Sequence, residues 1–231
     1  MADKNRPMDR PLLLAIDTAT RSAGLALYDG ERVRAEVYWL SRDSHSTELM
    51  PALVRMLEQQ GVQAKDLAAV AVAIGPGSFT GLRIGLSAAK GLAQANQIPI
   101  LGIPTLDILQ YQHAEQRRPI WAAIQAGRGR LCAARYERRR GRWRQRGQVL
   151  LTTLDGLAGQ IAGRCLVCGE LSQREIAYLA GHTAADVVFA TPSQATRRPA
   201  CLAELAWQRF ERGEQDDLAT LSPIYLHQPQ V

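Results

Sequence analysis

The run LAAVAVAI at residues 67–74 carries no charge and no polar side chain, and GPGSFTGLRIG follows it at once at residues 75–85. A short apolar run bounded by turn residues suits a strand covered on both faces, as in the interior of a mainly parallel sheet. The glycines, proline and hydroxyls then predict a tight turn, and residues 80–96 read as a helix. Strand, glycine-rich turn and helix in that order commit the chain to an α/β fold. The helix is thin, because Gly81, Gly85, Ser87, Ala88, Ala89 and Gly91 lie within it. Small residues lower helix propensity and allow close approach, so packing must hold it.

The flanking pattern extends this unit. Residues 10–40 predict three antiparallel strands joined by a polar turn at residues 18–22 and a tight Asp29-Gly30 turn. SHSTELMPALVRMLEQQG predicts a helix with Ser46 or Thr47 as N-cap, Glu48 at the positive end of its dipole and Gly61 as its stop. Pro51 is tolerable there only within the first turn. Leu49, Met50, Leu53, Val54, Met56 and Leu57 form a stripe wider than one buried face requires. Either the helix is sandwiched within its own domain, or part of it docks on another subunit. IPILGIP is a further strand, and TLDILQYQHAEQ continues as helix.

From Pro119 the order recurs: strand, turn, strand, basic turn and strand, then a helix at 154–162, the strand RCLVCG, a helix at 173–180, a loop around 191–193 and a helix at 199–213. Repetition of βββαβα predicts two lobes of one kind, the second reduced. The boundaries expected are 12–110 for the first lobe and 111–213 for the second, with the tail 214–231 packing back on the first.

The 46% hydrophobic content supports a packed core and argues against wholesale disorder. The longest uncharged apolar stretches, near 67–74 and 12–16, are far shorter than the ~20 residues that span a bilayer. MADKNRPMDRP lacks the apolar core of a secretion signal, so a soluble cytoplasmic protein without membrane contact is expected. Cys165 and Cys168 form the one CxxC, without the second ligand pair a zinc site needs, and they read as small apolar residues of a buried strand. The net charge of +6 is concentrated: residues 128–146 hold nine arginines and one acid, leaving −2 for the rest. This segment is either a phosphate-gripping surface, with Arg138, Arg139, Arg140 and Arg142 on RNA and Tyr136 or Trp143 stacking on a base, or a solvated hairpin.

Catalytic groups are thin. The Gly75 turn is not a Walker A loop, because Leu82-Arg83 stands where that loop requires Lys-Ser/Thr. It is not a nucleophile elbow either, since Pro76 and Thr80 hold the glycine positions around Ser78. What remains is a generic anion site of backbone amides at a helix N-terminus, built on Gly75, Gly77, Ser78, Thr80 and Gly81. Asp17 and Thr18 either hold a hydrated Mg²⁺ beside a phosphate or satisfy turn amides. The histidines at 45, 113, 182 and 227 are scattered and form no metal pair.

Taken in order, AIDTATRSAGLALYDG, HSTELMPALVRMLEQQG, AVAIGPGSFTGLRIGLSAAKGLA and IPILGIPTLDIL resemble the TsaB (YeaZ) family over residues 12–110, most specifically at GPGSFTGLRIG. Beyond that the match thins to IQAGRGRLCAARY and SPIYLHQP. The family's usual acidic residue before the arginine-containing turn is Gln125 here. The resemblance implies an actin-like ATPase (ASKHA) fold and a non-catalytic subunit for threonylcarbamoyladenosine formation on tRNA, partnered by TsaD and the ATPase TsaE. TsaD holds its metal with an HxxxH pair, and this chain has Thr105 and Leu109 at those positions. The resemblance also implies pairing with TsaD through the two helices of the first lobe, by Leu49, Met50, Leu53, Val54, Leu57, Arg83, Leu86 and Lys90. A homodimer through the same face is expected of the isolated chain, and ATP or ADP with Mg²⁺ is expected only at a subunit boundary. The alternatives are an ATP-dependent phosphotransferase of the same fold, using Asp17 and the Gly75 turn, and a tRNA-binding module acting through residues 128–146.

Overall fold

Strand β4 (Leu67–Gly75) lies inside a sheet, as its apolar run predicts, and pairs in parallel with β1 (Leu12–Asp17), every residue of which is buried. With β2 (Ser22–Tyr28), β3 (Val33–Leu40) and β5 (Ile100–Pro104) the strand order is β3-β2-β1-β4-β5, the first three antiparallel. The structure is a computed structural model and describes residues 10–42, 44–183 and 186–226. These form two units, residues 10–103 with 198–223 and residues 104–197 with 224–226.

In the first unit, Leu12, Leu14 and Ile16 join one core with Leu49, Leu53 and Met56 of α1 (His45–Gln60) and Leu86, Ala89 and Ala93 of α2 (Phe79–Asn96). Strand side chains alternate, so the equally buried Leu13 and Ala15 face the other side. That side is covered by α7 (Pro199–Phe210), which packs on β1, β2, β3 and β4. Helix α1 begins two or three residues earlier than predicted, after Ser44, which makes no side-chain cap. Pro51 therefore lies inside the helix. Pro51 and Thr47 are both exposed, so water can take the carbonyl that the missing N–H leaves unpaired.

The second unit repeats the plan. Its strands β6 (Ile120–Gln125), β7 (Leu131–Arg139), β8 (Arg142–Thr152), β9 (Cys165–Gly169) and β10 (Val187–Phe189) follow the order β10-β9-β6-β7-β8, the first sheet's order read from the opposite edge. Here too the first three strands are antiparallel, and β9 and β10 add in parallel. The reduction lies in the helices: α4 (Leu154–Gln160) has 7 residues and α5 (Gln173–His182) has 10, against 16 and 18 for α1 and α2. Strand β10 is not among the predicted strands, because three residues carry no readable alternation and exist as a strand only through their ladder to β9. The short α6 (Pro192–Ala195) falls within that same loop.

Two helices change places relative to the predicted lobes. Helix α3 (Thr105–Tyr111) closes the first repeat, yet it packs on β6, β7 and β9, with Leu106 and Leu109 in their core. Helix α7 closes the second repeat and packs on the first sheet. The boundaries 12–110 and 111–213 are corrected accordingly, the break falling after Ile103 and residues 198–213 belonging to the first unit. An apolar stripe declares that a helix must be covered; it does not say by which sheet.

The tail packs on the first unit as expected up to Pro223. Asp216 bridges to Ile100, accepts from the Gly102 N–H at 2.6 Å and pairs with Arg209 at 2.9 Å. Residues 224–226 join the second unit, and 227–231 lie outside the described residues. Because Leu202 of α7 is fully buried, Leu202→Ala is expected to cost ~2–5 kcal/mol. Hydrogen exchange should then accelerate in β1 and β2 and stay unchanged in β6 and β9; the reverse pattern would return α7 to the second unit.

Candidate functional site

The Gly75 turn is built for contact with its own chain. Ser78 caps α2, its Oγ accepting from the Gly81 N–H at 3.2 Å. The Ser78 N–H itself donates to the Ala19 carbonyl at 2.6 Å, and the Thr18 hydroxyl donates to the Gly81 carbonyl at 2.7 Å. A Cβ on Gly77 would lie 2.1 Å from the Ala19 carbonyl oxygen, and one on Gly81 would lie 2.2 Å from that of Thr18. Gly85, four residues further, meets the Thr18 hydroxyl at 2.3 Å in the same sense. The glycines at four-residue spacing thus form one seam against the β1–β2 turn.

Of the residues read as a nucleotide site, Asp17, Thr18, Gly75, Gly77, Ser78, Thr80 and Gly81, several already bond within the chain. The amides of Ser78 and Gly81 are already donating, and the Ala19 carbonyl presents negative charge to the turn. Asp17 is 1% exposed, and its Oδ1 accepts from the Ala19 N–H at 2.9 Å, closing an Asx turn. Thr80 faces outward instead.

That outward direction leads to a groove of about 600 Å³ between α1 and α2, lined chiefly by Leu49, Met50, Phe79, Thr80, Arg83 and Ile84. Met50, Val54 and Phe79 are 44%, 48% and 54% exposed, and the Arg83 guanidinium lies 3.7 Å from the Phe79 ring centroid. The expected interface residues divide by helix face. Met50, Val54 and Arg83 lie on the open side, whereas Leu49, Leu53, Leu57 and Leu86 are 8% exposed or less and belong to the first unit's core. Leu49 also floors the groove. The Lys90 ammonium reaches the Ala219 carbonyl of the tail at 3.4 Å. The wide stripe on α1 is therefore divided, its inner part buried and its outer part open. Phe79 was missed; its signal is an aromatic one helical turn before Arg83.

In the second unit, Arg138, Arg139, Arg140 and Arg142 lie at the tip of the β7–β8 hairpin and are exposed. The expected stacking platforms are both drawn toward the second unit's core, Tyr136 wholly and Trp143 in part. Tyr136 is buried, and its hydroxyl donates to Asp107 at 2.6 Å. Burial holds the Asp107 carboxyl above its ordinary range, the Tyr136 bond opposing it in part. The Trp143 indole donates to the Ala114 carbonyl at 2.8 Å. Cys165 and Cys168 enter cores on opposite faces of the sheet, so one ion cannot reach both. Burial pushes the Cys168 thiol up to about 12, far from the thiolate a metal requires.

A family model described as "TsaD: tRNA N6-adenosine threonylcarbamoyltransferase" matches residues 39–221. The tRNA threonylcarbamoyladenosine biosynthesis protein TsaB of Escherichia coli is 36% identical over 129 residues, covering 54% of this chain and 55% of that protein. The chain spans about half the length of the curated relatives it matches. The structure of YeaZ from Pseudomonas aeruginosa superposes with a TM-score of 0.76 and 26% identity, over 94% of this chain and 100% of that one. The activator of the 2-hydroxyisocaproyl-CoA dehydratase from Clostridium difficile, at a TM-score of 0.53 and 9% identity over 89% and 99% of the chains, shares the actin-like ATPase fold alone.

Two glycines of α2 should respond oppositely to the same change. Gly81→Ala drives a Cβ into the Thr18 carbonyl and is expected to cost ~1–3 kcal/mol. Gly91→Ala meets nothing within 4 Å and should stabilise by ~0.5–1 kcal/mol through helix propensity. Urea denaturation of both variants checks this, and equal effects would refute the seam.

Proposed function

This chain belongs to the TsaB (YeaZ) family, with a TsaD-like domain over residues 39–221, and from that premise we propose that it is a non-catalytic subunit of the machinery that makes threonylcarbamoyladenosine on tRNA. It docks on TsaD through the outer face of α1 and α2, with the ATPase TsaE completing the set. The observation that carries this reading is the open groove lined by Met50 and Phe79, with Arg83 over the Phe79 ring and Val54 exposed on the same helix as Met50. Contiguous apolar side chains left in water favour association, and aromatic and arginine anchors carry much of such binding. In the isolated chain a second copy occupies the same groove.

A scaffold role is supported by what stands at the resemblance's metal positions. Thr105 and Leu109 are fully buried on α3, and Leu109 has no lone pair to offer an ion. The Ser78 and Gly81 amides of the Gly75 turn already donate within the chain, and ATP or ADP with Mg²⁺ sits at a boundary with another subunit. The cytoplasm, where tRNA is modified, is the proposed location, and among the described residues no helix is long and apolar enough to cross a membrane.

The test uses outward-facing positions, since Leu53→Arg or Leu86→Arg would break the core. Val54→Asp and Phe79→Asp are each expected to weaken capture of TsaD by ~2 kcal/mol, about thirtyfold in Kd, at unchanged melting temperature. The isolated chain should transfer no threonylcarbamoyl group to tRNA. Stoichiometric co-purification of both variants with TsaD, or transfer by this chain alone, would overturn the proposal.

A further inference from the structure

We propose that the β7–β8 hairpin presents a single arginine face that grips the phosphodiester backbone of folded RNA, and that it does so without reading sequence. The choice of RNA over other polyanions rests on the proposed function above; the arginine face itself is independent of it.

The residues follow from the register. Arg135 pairs with Arg146, Glu137 with Arg144, and Arg139 with Arg142. Directly opposed residues point to one face of a hairpin, so these six side chains stand together with a net charge of +4. The neighbouring pairs, Tyr136 with Gln145 and Arg138 with Trp143, point to the other face. There Arg138 donates to the Gly141 carbonyl at 3.4 Å, while Arg140 lies in the turn itself at φ 50°. The contact set expected from sequence, Arg138 to Arg142, is thereby redrawn as Arg139, Arg142, Arg144 and Arg146.

Glu137 orders this face. Its carboxylate reaches Arg135 at 3.0 Å, Arg146 at 3.3 Å and Arg139 at 3.7 Å, and its side chain is largely covered. Among the described residues, Arg142 and Arg144 have no acidic partner. Same-face residues along a strand are about 6.8 Å apart, and opposed ones about 5 Å, on the order of the spacing of successive phosphates. Guanidinium groups fixed in such a ladder match phosphate oxygens by forked hydrogen bonds.

What the face lacks selects among polyanions. It carries no apolar side chain, so it has nothing to insert into a bilayer. Tyr136 is buried, and Trp143 is half-buried with its indole N–H bonded to Ala114, on the opposite face of the hairpin, which favours backbone contact over base stacking.

The test measures binding of the full chain to an unmodified tRNA transcript by fluorescence anisotropy between 50 and 300 mM KCl. The triple variant Arg139→Ala, Arg142→Ala, Arg144→Ala should bind at least about tenfold more weakly at 100 mM KCl. Its log–log salt slope should be shallower by about 2–3, since each lost phosphate contact removes roughly 0.7–0.9. Glu137→Gln should strengthen binding severalfold, and Arg138→Ala with Arg140→Ala should change it less than about threefold. An unchanged slope in the triple variant, or an equal loss in the Arg138/Arg140 control, overturns the assigned face. Equal competition by polyglutamate, duplex DNA or phosphatidylserine vesicles overturns the assignment to RNA. Capture of TsaD by the triple variant keeps the two readings apart. Lost RNA binding with intact capture supports this surface, whereas failed capture in the Val54 and Phe79 experiment, with RNA binding retained, bears on the docking groove alone.

Discussion

Two peptide carbonyls, those of Thr18 and Ala19, press against the turn after β4 and the first turns of α2 more closely than any Cβ would allow. Much of the first unit follows from that approach. It fixes the rotation of α2, so that Leu82, Leu86 and Ala89 turn inward while Phe79 and Arg83 turn outward. It occupies the Ser78 amide, and the Asp17 carboxylate beside it accepts from the Ala19 N–H in its own turn. The GPGSFTG motif is thus a packing joint, and the surface it leaves open lies on the far side of the helix.

The same economy appears in the connectivity. Each repeat forms a sheet with three antiparallel strands followed by two more, and in each the closing helix packs on the other repeat's sheet. A sheet buried on both faces needs helices on both, and the first repeat supplies α1 and α2 to one face of its sheet while α7 arrives from the far end of the chain. The first unit therefore cannot form from an unbroken stretch of residues. The thin helix α2 is tolerable because its glycines are the contact, not a weakness in it.

On the second sheet, strand alternation divides a run of arginines that composition presents as one block. Arginine outnumbers lysine by 25 to 3 across the chain, so frequency alone says little about purpose. Placement says more. The aromatics between the arginines bond inward to Asp107 and Ala114, while Arg139, Arg142, Arg144 and Arg146 share an outer face with Glu137 among them.

The α/β class, the buried β4, the two turn-rich sheets and the family were legible from local pattern, because period, glycine punctuation and motif are properties of neighbouring residues. Several things were not: the exchange of α3 and α7, the strand β10, the division of the α1 stripe into core Leu53 and open Val54, and the internal use of the Gly75 amides. Each depends on contacts between residues far apart in the chain, such as Gly77 with Ala19 or Leu202 with β1 and β2. The amino-acid order determined which segments must be covered and which must turn. Only the tertiary structure decided what covers them, because burial is shared between distant segments and no local pattern records its partner.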